Sequence, residues 1–405
     1  MARSGARRRG RKWPWALLFG AITLALVFYA AGGWYFSSQI YERALRSQSY
    51  DSTTLQTGQI EAITGSGNGG TITIRPAPDD LADPTFDDAA VGLFSGESLV
   101  VAGPVVSSDA ETQTRKIFDV RGKRPKEGQS YGLSRDVWLD PDQAGMDYDD
   151  VTVTTLEGLD FPAWSVPADN DSADWAVLIH GRGAGRSEML RLGRVLHDDG
   201  YNLLIVTYTG DVGAPPYPDG MNQYGRTEWK EIEAAVQYVR DQGAQRVILS
   251  GASHGGAVAL GFLARSAQAS RIDGLILEAP ASSLRDVIDA VGDNEKIPVV
   301  NVGVPESLED VAMALVAWRY QVNFATIDYT GMQNLVKMPL LMIQGDADQT
   351  VPKVVNDEFM AGPGQGNEYF VVPGAGHVLA WNLSPDKYAD QVRAFLKALD
   401  TAAAD

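Results

Sequence analysis

The chain has 405 residues, a formal net charge of -18 and no cysteine. The missing thiol excludes disulfides, thiol nucleophiles and zinc-thiolate centres, and so much negative charge repels nucleic acid and anionic lipid headgroups. At this length stability comes from a large buried core rather than from covalent staples.

The first twelve residues, MARSGARRRGRK, carry six basic side chains and no acidic one. From Trp13 to Phe36 no charge occurs. As a helix that run spans about 36 Å, enough to cross a hydrocarbon core of about 30 Å with some tilt. Aromatic residues gather at both ends (Trp13 and Trp15, then Trp34, Tyr35 and Phe36), as they do at the two membrane interfaces. The basic flank places residues 1–12 in the cytoplasm, 13–36 across the membrane and everything after about residue 40 outside. Ala30, Ala31 and Gly32 offer a possible signal-peptide cleavage site. The apolar run exceeds the about 7–15 residues of a signal-peptide core, however, which favours an uncleaved anchor.

Residues 37–150 read as a stalk and a small β-rich accessory region. GSGNGG at 65–70 is a flexible turn or linker, and short β-like runs lie at 70–74, 98–101 and 104–106. Acidic, proline-bearing stretches at 79–89 and 139–150 separate them, and no internal repeat or chemistry stands out. From residue 151 to about 400 the pattern becomes regular. Runs at 151–154 and 162–166 look like a strand pair. Buried strands follow at 175–179, 203–206, 247–249, 274–277, 340–343 and 369–372, with helices at about 187–198, 227–241 and 386–398 between or after them. Short apolar strands alternating with helices predict an α/β fold, a mostly parallel sheet with helices on both faces. In such folds the chemistry sits at the C-terminal ends of the strands.

One stretch organises this half of the chain. Arg246–Ala264, RVILSGASHGGAVALGFLA, runs from a β-branched strand through Gly251-Ala252-Ser253-His254-Gly255 into a small-residue helix. Strand, tight turn and helix in that order are what G-x-S-x-G needs to become a nucleophile elbow, lifting the serine hydroxyl clear of the sheet. A second match, Gly128-Gln129-Ser130-Tyr131-Gly132, follows the charged RGKRPKE and precedes no helix, so Ser130 is expected in a loop and Ser253 is the nucleophile.

A serine needs a base, and four histidines are present. His180 opens the HGRGAG loop, His197 neighbours Asp198 and Asp199 on the expected polar side of a helix, and His254 follows the nucleophile with its side chain pointing away. His377, on a glycine-rich loop after the last strand, is the one free to reach Ser253. The base in turn needs a carboxylate. Asp346 and Asp348 share the turn QGDADQTVP, spacing alone does not separate them, and one is expected to bond its own backbone. Glu278 is a third option.

HGRGAG at 180–185, GASHGG at 251–256, GDADQTVP at 345–352 and GAGH at 374–377 together resemble the α/β-hydrolases. Within that superfamily the chain from about 150 to 400 is most similar to serine hydrolases of the prolyl-oligopeptidase and dienelactone-hydrolase branches. The resemblance implies Asp348 as the catalytic acid and the chain order Ser253, Asp348, His377. It also implies an oxyanion hole made by the backbone N–H groups of His254 and Arg182. Arg186 is expected in a surface salt bridge.

Residues 281–335 read as a cap insertion, with Leu308, Val311, Leu315 and Trp318 at helical spacing. That stripe faces either the core or, as a lid, the acyl pocket. The expectation is a membrane-anchored, extracytoplasmic serine hydrolase acting on a small-molecule or lipid-like ester, with no cofactor or metal. The alternatives are a prolyl-oligopeptidase-like peptidase, an acyltransferase with the same triad, and an inactive anchored binding module.

Overall fold

The computed structural model describes residues 13–48, 56–76, 87–292, 295–297, 301–362 and 367–404, and all structural statements refer to these. The basic arm 1–12 and much of the acidic stretch at 79–89 lie outside them. Helix α1 (Trp13–Ile40) comes first, continuous through the uncharged run. Six strands follow: β1 (Gln56–Ile63), β2 (Thr71–Arg75), β3 (Val91–Ser95), β4 (Ser98–Ser108), β5 (Gln113–Gly122) and β6 (Ser130–Ser134). They close into an antiparallel barrel in the order β1-β2-β5-β4-β3-β6. Its interior is filled by alternate residues, among them Ile60, Ile72, Ile74, Leu93, Val100 and Ile117. Period-two burial of β-branched side chains is what a closed small barrel requires. Two features differ from the sequence reading. The runs at 98–101 and 104–106 are one strand, β4, and Ser130 is the exposed first residue of β6 rather than a loop residue.

The second half builds an eight-stranded sheet. β7 (Asp149–Thr154) and β8 (Asp160–Val166) form an antiparallel pair at one edge. Then come β9 (Asp174–Ile179), α2 (Leu190–Asp198), β10 (Asn202–Val206), α3 (Trp229–Asp241), β11 (Arg246–Ala252), α4 (His254–Arg265) and β12 (Gly274–Glu278). The next segment holds α5 (Leu284–Gly292), a small hairpin β13 (Lys296–Ile297) and β14 (Val302–Gly303), and α6 (Glu306–Tyr320). The chain closes with β15 (Leu340–Gly345), α7 (Lys353–Met360), β16 (Glu368–Val372), α8 (Ala380–Leu383) and α9 (Pro385–Ala404).

The sheet order is β16-β15-β12-β11-β9-β10-β8-β7, parallel from β16 to β10. Ala176, Leu178, Leu203, Ile205, Ile248, Ile276, Leu341 and Ile343 pack in one core with Leu190, Val195 and Leu196 of α2 and Tyr388, Val392 and Phe395 of α9. The intervening residues Val177, Leu204, Val247, Leu249, Leu275 and Met342 are equally buried, so the opposite face is covered too. Burial on both faces explains why these strands read as unbroken apolar runs. Leu99 and Val101 of the barrel join the same core as α2 and α9, which packs the barrel onto the eight-stranded sheet and its helices.

Two compact units result. One is the chain from Arg46 to Val291 with Phe324 to Asp405, holding barrel and sheet. The other joins the N-terminal helix, through Leu45, to Gly292–Asn323. In this second unit the stripe Leu308, Val311, Leu315 faces Gly32 and Gly33 of α1, while Trp318 is exposed.

Candidate active site

Ser253 occupies the turn between β11 and α4 with φ 52° and ψ -117°, a conformation rarely adopted by a residue with a Cβ. Its N–H donates to Glu278 O at 2.9 Å, its carbonyl accepts from Ala281, and its side chain is only partly buried. The turn is this tight because both flanking glycines are in close contact. A Cβ on Gly251 would run into the backbone of Gly255, and one on Gly255 would run into the carbonyls of Ile179 and His180.

His377 sits in the loop after β16, where Gly374 (φ 77°) and Val378 (φ 54°) both take left-handed backbone. Its Nε2 lies 2.8 Å from Ser253 Oγ and its Nδ1 2.7 Å from Asp348 Oδ2. The Asp348 side chain is fully buried. A carboxylate only accepts, so Nδ1 carries the proton and Nε2 is left to accept from the serine hydroxyl. The other oxygen of Asp348 takes the N–H groups of Thr350 (2.8 Å) and Val351 (2.9 Å). The turn-forming aspartate and the partner of His377 are thus one residue. Asp346 is exposed and accepts instead from Gly374 N at 2.6 Å, across to the histidine loop.

The remaining sequence candidates fall elsewhere. Glu278 is half-buried and accepts from Ala380 N (3.2 Å) and Tyr388 Oη (3.0 Å) rather than from His377, and the loss of solvent around it pushes its carboxyl up. Arg186 stacks 4.0 Å from the Trp164 ring with Asp150 at 3.6 Å. His197 differs from the expectation of a solvated side chain: it is buried on the inner face of α2, with Nε2 2.9 Å from Pro167 O. Adjacent aspartates made the helix look polar there, but they point outward while the imidazole turns in.

Behind the serine lies a buried polar layer that no motif announced. Gly181 N donates to Glu188 Oε2 at 2.7 Å, and Tyr208 Oη donates to Gly181 O at 3.0 Å, so the loop carrying Arg182 is held from both sides. Burial alone would raise the Glu188 carboxyl, but the charges of Arg135 and Arg191 and the Gly181 N–H hold it below its usual value. His254, first residue of α4, has an N–H with no partner a turn back in the helix. Its side chain packs edge-on to Tyr224, and its Nδ1 lies 3.3 Å from Tyr208 Oη. Its Nε2 is 3.6 Å from Glu228 Oε1, too long for a hydrogen bond but close enough for a charge interaction. Burial would raise Glu228. His254 and the donors around it, including Tyr217 Oη at 2.7 Å, bring it down to about 2. Arg191 ties this layer to the histidine loop by donating to Val378 O at 2.9 Å and to Asn382 Oδ1. Asn382 in turn donates to Ala90 O (2.7 Å) and Arg135 O (2.8 Å), linking the loop to the barrel and the segment after it.

The profile of the Alpha/beta hydrolase family matches residues 176–391, more than half of the chain and all of the residues above that surround Ser253. The chain belongs to the alpha/beta hydrolase family. Among its relatives, an uncharacterized protein of Mycobacterium tuberculosis is 26% identical over 254 residues, covering 61% of this chain and 78% of that protein. The Pyrococcus furiosus esterase Pf2001 superimposes with a TM-score of 0.50 and 22% identity, covering 64% of this hydrolase and 96% of the esterase. At that identity the likeness shows the fold.

Glu231 of this hydrolase gives a pH prediction. Burial pushes its carboxyl up to about 7, against the hydrogen bond from Thr209 Oγ1 at 2.5 Å. A folded-state value above the unfolded 4.5 means that the folded chain holds the proton longer, so stability falls as pH rises from about 4.5 through about 7. Glu231→Gln is therefore expected to raise stability at pH 8 by about 2–3 kcal/mol and to change little at pH 4. Thermal melts of both proteins across that range check it.

Proposed function

We propose that the protein is a membrane-anchored, extracytoplasmic serine hydrolase that cleaves carboxylic esters through an acyl-enzyme on Ser253. The observation that carries this reading is the hydrogen-bonded line from Ser253 Oγ through His377 to buried Asp348, at a strained turn above a parallel sheet. His377 Nε2 takes the hydroxyl proton as Oγ attacks the ester carbonyl, and Asp348 stabilises the imidazolium that forms. The tetrahedral oxyanion is held by the N–H groups of His254 and Arg182, each worth about 3 kcal/mol of barrier. His377 then protonates the leaving alkoxide. In the second half it deprotonates a water, which attacks the acyl carbonyl, and the proton returns to Ser253 as the carboxylic acid leaves.

An ester is favoured because an alkoxide leaves more readily than an amine. The accessory region is a six-stranded barrel rather than a set of propeller blades, so the peptidase reading gains nothing from it. The substrate is a small-molecule or lipid-like ester, and the anchor is the uncharged N-terminal helix. A fluorophosphonate probe is expected to label Ser253, located by peptide mass, and p-nitrophenyl esters are expected to turn over where peptide anilides do not. Labelling at Ser130, or anilide cleavage without ester cleavage, would overturn the reading.

A further inference from the structure

The N-terminal helix has two halves with different surroundings. From Trp15 to Phe28 every residue is exposed, including Phe19, Leu24 and Leu26 at 67%, 73% and 65%, and a Cβ on Gly20 would meet nothing within 4 Å. From Tyr29 onward the helix has a partner. The Tyr29 and Ser307 hydroxyls are 2.7 Å apart. Gly32 and Gly33 let α6 come close: a Cβ on Gly33 would lie 2.6 Å from Val311 Cγ1 and 3.1 Å from Leu315 Cδ1, and one on Gly32 3.1 Å from Leu308. Small residues at such a contact are how apolar helices approach backbone to backbone. Further along, the Arg319 guanidinium stacks 3.7 Å over Trp34 and donates to Ser37 Oγ (2.6 Å) and Ser38 Oγ (3.0 Å). Tyr41 and Tyr320 stack at 4.3 Å, and Arg43 meets Glu295 at 2.5 Å.

These contacts run in register from Tyr29–Ser307 to Tyr41–Tyr320, so α1 and α6 lie side by side in the same direction. The small-residue triplet Ala30-Ala31-Gly32, which could serve as a cleavage site, falls inside the paired half and within unbroken helix. Cutting there would remove Tyr29 from Ser307 and strip the cover from Leu308. The bare half has the opposite problem, since an uncovered apolar cylinder is not stable in water.

We propose that the N-terminal helix is a permanent member of the folded protein: its second half is the packing partner of the 292–323 insertion, and its bare first half is taken up by the lipid bilayer. From Trp15 to Phe28 the bare run reaches about 21 Å, some two thirds of a hydrocarbon core of about 30 Å. Pairing then starts near the outer interface, where the acidic first turn of α6, with Glu306 and Glu309, stays in water. The insertion is thereby fixed at the membrane surface. The helix pairing is independent of the ester chemistry, whereas the bilayer half rests on the anchored reading above.

The chain has no cysteine, so an introduced pair reports cleanly. The Cβ built on Gly33 is 3.6 Å from Val311 Cβ, within the about 3.5–4.5 Å of a disulfide. In isolated membranes under mild oxidant, Gly33→Cys with Val311→Cys is expected to close nearly completely. Gly20→Cys with Val311→Cys is expected not to close, and the intact mass is expected to include the residues before Gly33. Equal closure of both pairs, or a mature chain beginning near Gly33, would overturn the proposal. Release of the disulfide-closed chain by alkaline carbonate would overturn the bilayer half while leaving the helix pair standing.

Discussion

Asp348→Asn is expected to lower ester turnover by about a thousand- to ten-thousand-fold, while Asp346→Asn lowers it by less than about tenfold. Two aspartates one residue apart differ this much because of what each oxygen touches. Asp348 Oδ2 accepts from His377 Nδ1 at 2.7 Å inside a closed site, and its Oδ1 is pinned by Thr350 N and Val351 N. An amide there presents either an N–H to Nδ1 or a neutral oxygen. In the first case the imidazole proton moves to Nε2, which can no longer accept from Ser253, and in the second the imidazolium loses its counter-charge. Asp346 only braces Gly374 from an exposed position, and an asparagine oxygen accepts that bond as well. Steady-state rates on a p-nitrophenyl ester, with KM and kcat resolved, check the ranking. The reverse order would move the acid to Asp346, and equal losses would overturn the distinction between the two.

Gly255→Ala is expected to destabilise the hydrolytic half by about 3 kcal/mol, lowering the melting midpoint by about 6–12 °C, and to suppress labelling of Ser253. The new methyl has no room, since it meets the carbonyl oxygens of Ile179 and His180 at the end of β9. Those are backbone atoms of a central strand and cannot swing aside as a side chain would. Gly331→Ala is the control, because its Cβ would find nothing within 4 Å and its backbone is not left-handed, so its midpoint stays within about 2 °C. A Gly255→Ala protein that melts and labels like the parent would show that the elbow tolerates a wider turn than the structure implies.

Much of the parallel sheet was legible because its strands are covered on both faces. Runs such as Leu203–Val206 and Leu340–Ile343 show no alternation to confuse with a helix face, and each ends at a glycine or polar turn. The barrel was far less legible. β5 carries Arg115 inward, 1% exposed, with its guanidinium donating to Ala89 O and Gly103 O, and a strand that buries an arginine reads as surface by composition. Ser130 was misplaced for a related reason. The charged segment before it precedes the strand without belonging to it, and β6 is largely buried after its exposed first residue, paired on both sides in the closed barrel.

What the residues announced without any fold was local: a glycine-flanked serine between strand and helix, two aspartates on one turn, a histidine in a glycine loop, and an uncharged helix behind a basic arm. These follow from steric and solvation rules acting between near neighbours in the chain. Which aspartate lies beside the histidine, and that the histidine lies beside the serine 124 positions earlier, depends on the order β16-β15-β12-β11, which sets three loops along one edge of the sheet. The buried layer of Glu188, Tyr208, Glu228 and His254, the brace from Arg191 to Asn382, and the pairing of α1 with a helix some 280 residues later are likewise products of packing. No rule of neighbouring residues reaches that far, because such contacts form only once distant surfaces have been driven out of water together.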